Sequence, residues 1–193
     1  MEHDVYRLKV TLRGARPPIW RRLEVPSGVT LDRFHEILQV VMGWTDSHLH
    51  QFQCGGASYG RLHPEIEVEQ QDERRVRLRD VLRRPKARLV YEYDFGDGWL
   101  HDVVLETIAP AGPENRQARV VAGKRACPPE DVGGVDGYYR FLEAIADPEH
   151  PEHQDMLEWV GEFDPDAFDV EAMNLRLGYK AGRARKVRRP AVR

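Results

Sequence analysis

Two hydrophobic periodicities alternate along the first part of the chain. Residues 5–12, VYRLKVTL, carry an apolar side chain at every second position, and residues 19–25, IWRRLEV, form a second strand-like segment beyond a short connector. A period of two is typical of a strand with one buried face, so these segments predict a β-hairpin. From Leu31 to Met42 the apolar residues recur at helical spacing, between Thr30 as the N-cap and Gly43 as the stop. An amphipathic helix therefore follows the hairpin.

The remaining elements are predicted from the same two periods. They are a strand at residues 48–54, a short helix at 77–82, a second hairpin with arms at 89–93 and 102–106, and helices at 138–146, 154–161 and 169–177. This order predicts an α+β fold with a mostly antiparallel sheet, a ββα opening that is ubiquitin-grasp-like by analogy, and a helical C-terminal third. We expect one domain over residues 1–178 and a basic, disordered tail over residues 179–193.

Composition adds the class of protein and its compartment. Of the 193 residues, 41% are hydrophobic and 32% are charged, which is typical of a soluble globular protein. No apolar run approaches the roughly 20 residues that a membrane span requires, and the first residues do not form a secretory signal. We therefore expect a cytoplasmic protein with no membrane association. Two cysteines without CxxC spacing predict free thiols rather than a disulfide framework.

Charge is segregated along the chain. Residues 141–171 hold eleven acids and no Lys or Arg, whereas residues 74–88 hold eight basic residues and one acid, and residues 180–193 hold seven basic residues and no acid. Such runs are often solvated surface, but the basic ones also suit phosphate contacts. The candidate nucleic-acid-binding residues are Arg21, Arg22, Arg74, Arg75, Arg183, Arg185, Lys186, Arg188 and Arg189.

Three polar segments carry the candidate chemistry: HLH at 48–50, DFGDGWLH at 94–101 and CPPEDVGG at 127–134. If they meet, they form one polar pocket, with candidate residues His48, His50, Asp94, Asp97, Trp99, His101, Cys127, Glu130 and Asp131. The candidate metal ligands are His48, His50, Asp97, His101 and Cys127, a mixed set that suits zinc or another first-row divalent ion. The alternative is that the carboxylates only accept hydrogen bonds from backbone amides of the turns, and that CPPEDVGG is only a loop in which the chain changes direction.

Long and unusual strings connect the chain to a known family. They are GWTDSHLHQF at 43–52, YDFGDGWLHD at 93–102 and CPPEDVGGVDGYYRFLEAI at 127–145, with YRLKVTLRGARPPIWRRLEVP near the start and FDPDAFDVEAMNLRL near the end. Together they resemble the Ri-plasmid ORF-three-like family, often labelled a transposon passenger of TnpR type, from about Tyr6 to about Leu177. The resemblance implies a compact α+β domain and supplies no agreed active site. Nothing in the chain is similar to a serine or tyrosine recombinase.

The function that these patterns favour is a non-catalytic interaction module that binds a protein or a nucleic acid, as a monomer or small homo-oligomer. The alternative is a metal-dependent or carboxylate- and histidine-based hydrolase-type enzyme that uses the HLH, DFGDGWLH and CPPEDVGG segments. No GxSxG, P-loop or GxGxxG string follows a predicted strand and opens a helix, so the usual signatures of nucleophile elbows and phosphate-binding loops are missing.

Overall fold

A computed structural model describes residues 4–62, 70–112 and 115–178. The strands are β1 Asp4–Leu12, β2 Trp20–Pro26, β3 His50–Cys54, β4 Ala57–Gly60, β5 Gln71–Asp72, β6 Arg88–Tyr93, β7 Trp99–Pro110 and β8 Arg119–Lys124. The helices are α1 Leu31–Met42, α2 Leu78–Val81, α3 Gly134–Ala146, α4 His153–Val160 and α5 Val170–Arg176, with a 3-10 turn at Glu73–Arg75. The predicted tail, residues 179–193, lies outside the described residues.

All eight strands form one sheet in the order β5-β4-β3-β6-β7-β1-β2-β8. Its neighbours are antiparallel except β4 and β5, which are parallel. The predicted α+β class, the mostly antiparallel sheet and the helices in the later part of the chain are therefore confirmed. The likeness of the opening to a ubiquitin grasp stays an analogy.

Helix α1 covers the sheet with the apolar face that the sequence predicts. Leu31, Phe34 and Leu38 are fully buried, and Gly43 ends the helix in the left-handed conformation at φ 86°. Glycine reaches positive φ without a steric penalty, so a glycine there fixes the end of the helix. The same buried face also contains two polar side chains, His35 and Gln39. They bring hydrogen-bonding groups between helix and sheet.

The edge of the sheet at β8 is closed by a side chain of α5. Asn174 accepts a hydrogen bond from Val120 N at 2.8 Å and donates one to Val120 O at 3.0 Å. The amide thus replaces a strand partner for one residue, which protects an edge that could otherwise pair with another chain. Within the described part of the chain, no helix is both long and apolar enough to cross a membrane.

Candidate functional site

A pocket of about 670 Å³ lies where the first turns of α1 meet the segment 46–51 and the 3-10 turn. Its described lining includes four carboxylates, from Asp32, Glu36, Asp46 and Glu73, and three imidazoles, from His35, His48 and His50. It also includes the side chains of Arg61, Arg74, Leu49 and Phe95. Helix, sheet and loops therefore each contribute polar groups to one concave surface.

Two stacked imidazoles form the centre of the polar lining. The rings of His35 and His50 are nearly parallel, with centroids 3.4 Å apart and an angle of 4° between their planes. Each ring also contacts a carboxylate: His35 Nε2 lies 2.7 Å from Asp46 Oδ1, and His50 Nε2 lies 2.8 Å from Glu73 Oε2. Glu73 is itself buried. The result is two carboxylate–imidazole pairs held face to face.

A hydrogen-bond network fixes the tautomer of His35. Gln39 Nε2 donates to Tyr91 Oη at 3.1 Å, and the same oxygen lies 2.8 Å from His35 Nδ1. Since Tyr91 accepts from Gln39, its own proton can go to His35 Nδ1, which leaves the Nε2 proton for Asp46. Burial lowers the pKa of His35, and the adjacent His50 lowers it further. Asp46 and Glu73 oppose this shift, and the net lowering favours the neutral imidazole.

The three polar segments of the sequence meet at His48. Its Nε2 lies 3.0 Å from Asp131 Oδ1 and 3.8 Å from Asp94 Oδ2. Next to this group, Glu130 accepts hydrogen bonds from the hydroxyl groups of Tyr93 and Thr45. HLH, DFGDGWLH and CPPEDVGG thus each contribute one side chain to a single cluster, and a fourth, Glu130, anchors the loop.

Several predicted pocket residues lie elsewhere. Trp99 and His101 belong to β7 and are fully buried, because the hairpin turn is shorter than the DFGDGWLH segment and both side chains point into the core. Burial lowers the pKa of His101 to about 4. Asp97 accepts a hydrogen bond from Gly133 N at 3.1 Å, so it joins two loops. Their assignment to one pocket is wrong for Trp99 and His101.

Cys127 also lies in the core, where its Sγ is 3.1 Å from Met42 Sδ. Burial raises the pKa of its thiol, although the cation of Arg21 opposes that shift. The five predicted metal ligands therefore do not converge on one point. Among the described residues, the groups of three ligand-type side chains whose atoms lie within 4.8 Å of one another are His35–Asp46–His50 and His48–Asp94–Asp131.

The predicted nucleic-acid face is largely neutralised within the molecule. Arg21 is only 1% exposed, so its assignment to a phosphate-contacting surface is wrong. Arg22 forms a bidentate pair with Glu106 at 2.7 and 2.9 Å. Arg74 and Arg75 both lie against Asp72, at 2.9 and 3.6 Å. The other candidates, Arg183, Arg185, Lys186, Arg188 and Arg189, lie outside the described residues.

Sequence reasoning missed the imidazole of His35 and all four carboxylates of the described lining, those of Asp32, Glu36, Asp46 and Glu73. A signal existed for His35, because His35 and Gln39 are polar residues at positions i and i+4 on the apolar face of α1. Such a pair on a buried face must find hydrogen-bond partners. Glu73 gave no comparable signal, since only the folded chain brings its 3-10 turn to His50.

Comparisons with known proteins agree with this architecture. The model of the plasmid pRiA4b ORF-3-like protein family matches residues 4–172. The uncharacterized protein y4hQ of Sinorhizobium fredii is 42% identical over 194 residues, which cover 98% of this chain and 99% of that protein. The crystal structure of MM3350, a protein of unknown function from Methanosarcina mazei Go1, matches with a TM-score of 0.80 and 38% identity. That match covers 89% of this chain and 98% of the other. The chain therefore belongs to the plasmid pRiA4b ORF-3-like protein family.

Proposed function

We propose that this chain is a binding module for a small positively charged group, an amine or guanidinium carried by a free ligand or by a basic side chain of a protein partner. The charge of the pocket carries this proposal. Its described lining contains four carboxylates and two guanidinium groups. The carboxylate of Glu36 is paired with Arg33 at 2.5 Å, and the guanidinium of Arg74 is held by both carboxylate oxygens of Asp72. That leaves the carboxylates of Asp32, Asp46 and Glu73 against the guanidinium of Arg61. A cation that enters the pocket gains attraction from the remaining excess of negative charge.

Asp32 adds a specific contact point. Its Oδ1 is buried and accepts no hydrogen bond from any described residue, although a buried carboxylate oxygen normally has a partner. The side chain belongs to the lining of the pocket, on the first turn of α1. After a rotation of the carboxylate that turns Oδ1 to the pocket, an ammonium or guanidinium N–H could donate to it and form a charge-assisted hydrogen bond. The ligand would thereby satisfy an acceptor that the protein leaves without a donor.

Two apolar side chains in the lining suit the stem of such a ligand. Leu49 is 44% exposed and Phe95 is 51% exposed, and both belong to the described lining. Basic side chains and alkylamines carry a methylene stem that packs on apolar surface while the charged end stays hydrated or paired. An aromatic face also attracts a cation directly, by about 0.5–1 kcal/mol at an exposed site.

The same charges argue against a nucleic acid as the occupant of this pocket. Phosphate groups would meet an excess of carboxylates, and the arginines nearby, such as Arg74 and Arg75, are paired with Asp72. Counterion release requires basic side chains that are free to replace the cations around the phosphates. A basic ligand is therefore favoured over a nucleic acid.

The hydrolase-type alternative has less support from the geometry. The hydroxyl of Ser47 lies in the pocket lining, but its Oγ is 2.8 Å from Thr45 Oγ1 and has no hydrogen bond to a histidine. The described lining thus offers no serine hydroxyl hydrogen-bonded to a histidine base. Binding without turnover is the function that the described geometry supports better.

Isothermal titration calorimetry with agmatine, which carries an amine and a guanidinium on a short stem, tests the proposal. We expect binding to the full-length chain at low salt, weaker by about tenfold in Asp32→Asn and in Asp46→Asn, because each change removes one negative charge, and about 1.4 kcal/mol corresponds to tenfold. Asp136→Asn, an exposed acid on α3, is the matched control and should bind as the parent does. No binding, or equal binding by all four proteins, would contradict the proposal.

A further inference from the structure

His48, Asp94 and Asp131 have the spacing of ligands around one ion. Metal–ligand bonds of about 2.0–2.2 Å, at angles of about 90–110°, separate neighbouring ligand atoms by roughly 3.0–3.5 Å. In the structure, His48 Nε2 lies 3.0 Å from Asp131 Oδ1 and 3.8 Å from Asp94 Oδ2. All three ligand atoms lie within 4.8 Å of one another. The two distances to His48 Nε2 lie within about 0.3 Å of this range, and bringing the two carboxylate oxygens together on one ion requires a shift of at most about 1.3 Å.

The nitrogen at the centre of this group has no hydrogen-bond partner among the described residues. His48 Nε2 is buried, and despite its short distance to Asp131 it makes no hydrogen bond of acceptable geometry. The nearby carboxylates of Asp94 and Asp131 also bring two negative charges together. A divalent cation satisfies both conditions, because it accepts the lone pair of the nitrogen and neutralises the two carboxylates.

The segments that carry the three side chains are held in place by other contacts. Asp94 N donates to Leu49 O at 2.8 Å, and Asp94 Oδ1 accepts from Gly96 N at 2.9 Å, which leaves Oδ2 on the side of His48. Glu130, beside Asp131, accepts from Thr45 N at 3.0 Å. These contacts fix the backbone on either side of the ligand atoms, which lowers the entropic cost of assembling the site.

The other group, His35–Asp46–His50, does not fit an ion equally well. Both ring nitrogens of His35 already have hydrogen-bond partners, at 2.8 and 2.7 Å. Its ring is also parallel to that of His50 at 3.4 Å, so an ion midway between them would lie about 1.7 Å outside both ring planes. Imidazole lone pairs lie in the ring plane, and coordination there would require the stack to open.

From these observations we propose that His48, Asp94 and Asp131 bind a first-row divalent metal ion beside the pocket, whose described lining includes His48 but not the two aspartates. This inference goes beyond the proposed binding of a cationic ligand, which uses other carboxylates. One imidazole nitrogen with two carboxylates suits Zn²⁺, Mn²⁺ or Co²⁺, in contrast to the all-oxygen sets of Ca²⁺ and Mg²⁺. Asp131 is 66% exposed, so the ion can enter from solvent and keep water in its remaining positions.

The test is calorimetric titration of EDTA-treated, desalted full-length protein with ZnCl₂ and with MnCl₂. We expect one ion per chain, and at least a tenfold loss of affinity in His48→Ala and in Asp131→Asn. The second variant changes an exposed side chain, so it keeps the fold even if His48→Ala does not. His150→Ala is the matched control, because His150 lies in the described part of the chain but outside both groups of ligand-type side chains, and it should bind as the parent does.

Paramagnetic broadening by Mn²⁺ in amide spectra locates the ion. We expect the first signals to disappear near residues 48, 94 and 131. Unchanged affinity in both His48→Ala and Asp131→Asn would overturn the site, as would broadening confined to the acidic helices of residues 141–171. Loss of affinity in His35→Ala, with His48→Ala unaffected, would assign the ion to the stacked histidines and would also overturn it. Agmatine titration of Asp131→Asn tests the two proposals separately. Because the cationic ligand uses other carboxylates, this variant should bind agmatine as the parent does, whether or not the metal site is correct.

Discussion

Arg21 and Arg22 are neighbours in sequence, but the fold places them in opposite environments. Arg21 donates hydrogen bonds to the carbonyl oxygens of Val41 and Lys124 at 2.8 and 3.0 Å, and its guanidinium lies over the ring of Phe168 at 3.9 Å. Arg22 points the other way and pairs with Glu106. In a strand, consecutive side chains alternate between faces, so one arginine becomes part of the core and the next stays near solvent.

This difference predicts a difference in stability. Arg21→Met should lower the free energy of unfolding by about 2–4 kcal/mol, because it leaves buried carbonyl groups without a donor. Arg22→Met should cost about 0–1 kcal/mol, the usual value of an exposed ion pair. Urea unfolding of the two variants and the parent measures both values. Equal effects would mean that the hydrogen bonds from Arg21 to α1 and β8 do not stabilise the fold more than the Arg22–Glu106 pair does.

His101 makes stability depend on pH. Its pKa falls from the ordinary 6.5 to about 4 because it is buried. The unfolded chain therefore binds more protons than the folded chain between these values, and stability falls as the pH falls from about 7 towards 4. We expect the decrease in the free energy of unfolding between pH 7 and pH 4.5 to be smaller by about 2 kcal/mol in His101→Leu than in the parent. Parallel pH profiles, from urea unfolding at each pH, would contradict this assignment.

At the scale of elements, α1 buries in the core the apolar face that the sequence predicts. Phe34 and Leu38 are fully buried, whereas the side chain of Arg33 is 67% exposed on the other face. We expect Phe34→Ala and Leu38→Ala each to cost about 2–5 kcal/mol. Arg33→Ala, as the control on the solvent face, should stay within about 0.5 kcal/mol. Thermal and urea unfolding give these values, and small losses in the first two variants would place the helix in another register.

The elements that could be predicted from the sequence are those with a strong local period. The segments that form β1, β2 and α1 have such a period, and it predicts both the elements and their order. β4 was not predicted, because ASYG is short and follows the Gly55–Gly56 turn without an alternating pattern. β3 begins at His50 rather than at residue 48, since His48 lies in the loop and turns to Asp94 and Asp131.

The candidate site could be predicted only in part, for a related reason. The polar segments that contain His48, Asp94 and Asp131 stand out because their residue types are unusual for plain turns. The partners of His50 do not, because Glu73 and His35 are 23 and 15 residues away and reach it only through the sheet and α1. Residues of one segment also differ in burial, which the sequence of the segment does not predict. Trp99 and His101 share the DFGDGWLH segment with Asp94 but belong to the core.

At the scale of the whole molecule, the basic charges of the described residues are engaged in ion pairs at several sites, with Arg22, Arg74 and Arg119 among them. Residues 180–193 add seven basic residues without an acid. We therefore expect any affinity for duplex DNA to reside in this segment. Deleting it should weaken binding at least tenfold at low salt and reduce the salt slope by up to about six. Equal binding by full-length and truncated chains, in duplex titrations at several salt concentrations, would contradict this expectation.

The pocket and the acidic segment at residues 141–171 are both able to attract a cation, and the central claim is that the pocket provides the specific site. Amide chemical-shift mapping of the full-length chain during titration with agmatine distinguishes them most directly. We predict saturable shifts centred on residues 32–36, 46–50 and 73, where the carboxylates and the stacked histidines lie. Shifts that spread over α3, α4 and α5 without saturation, and leave residues 32–36 and 46–50 unchanged, would contradict the claim.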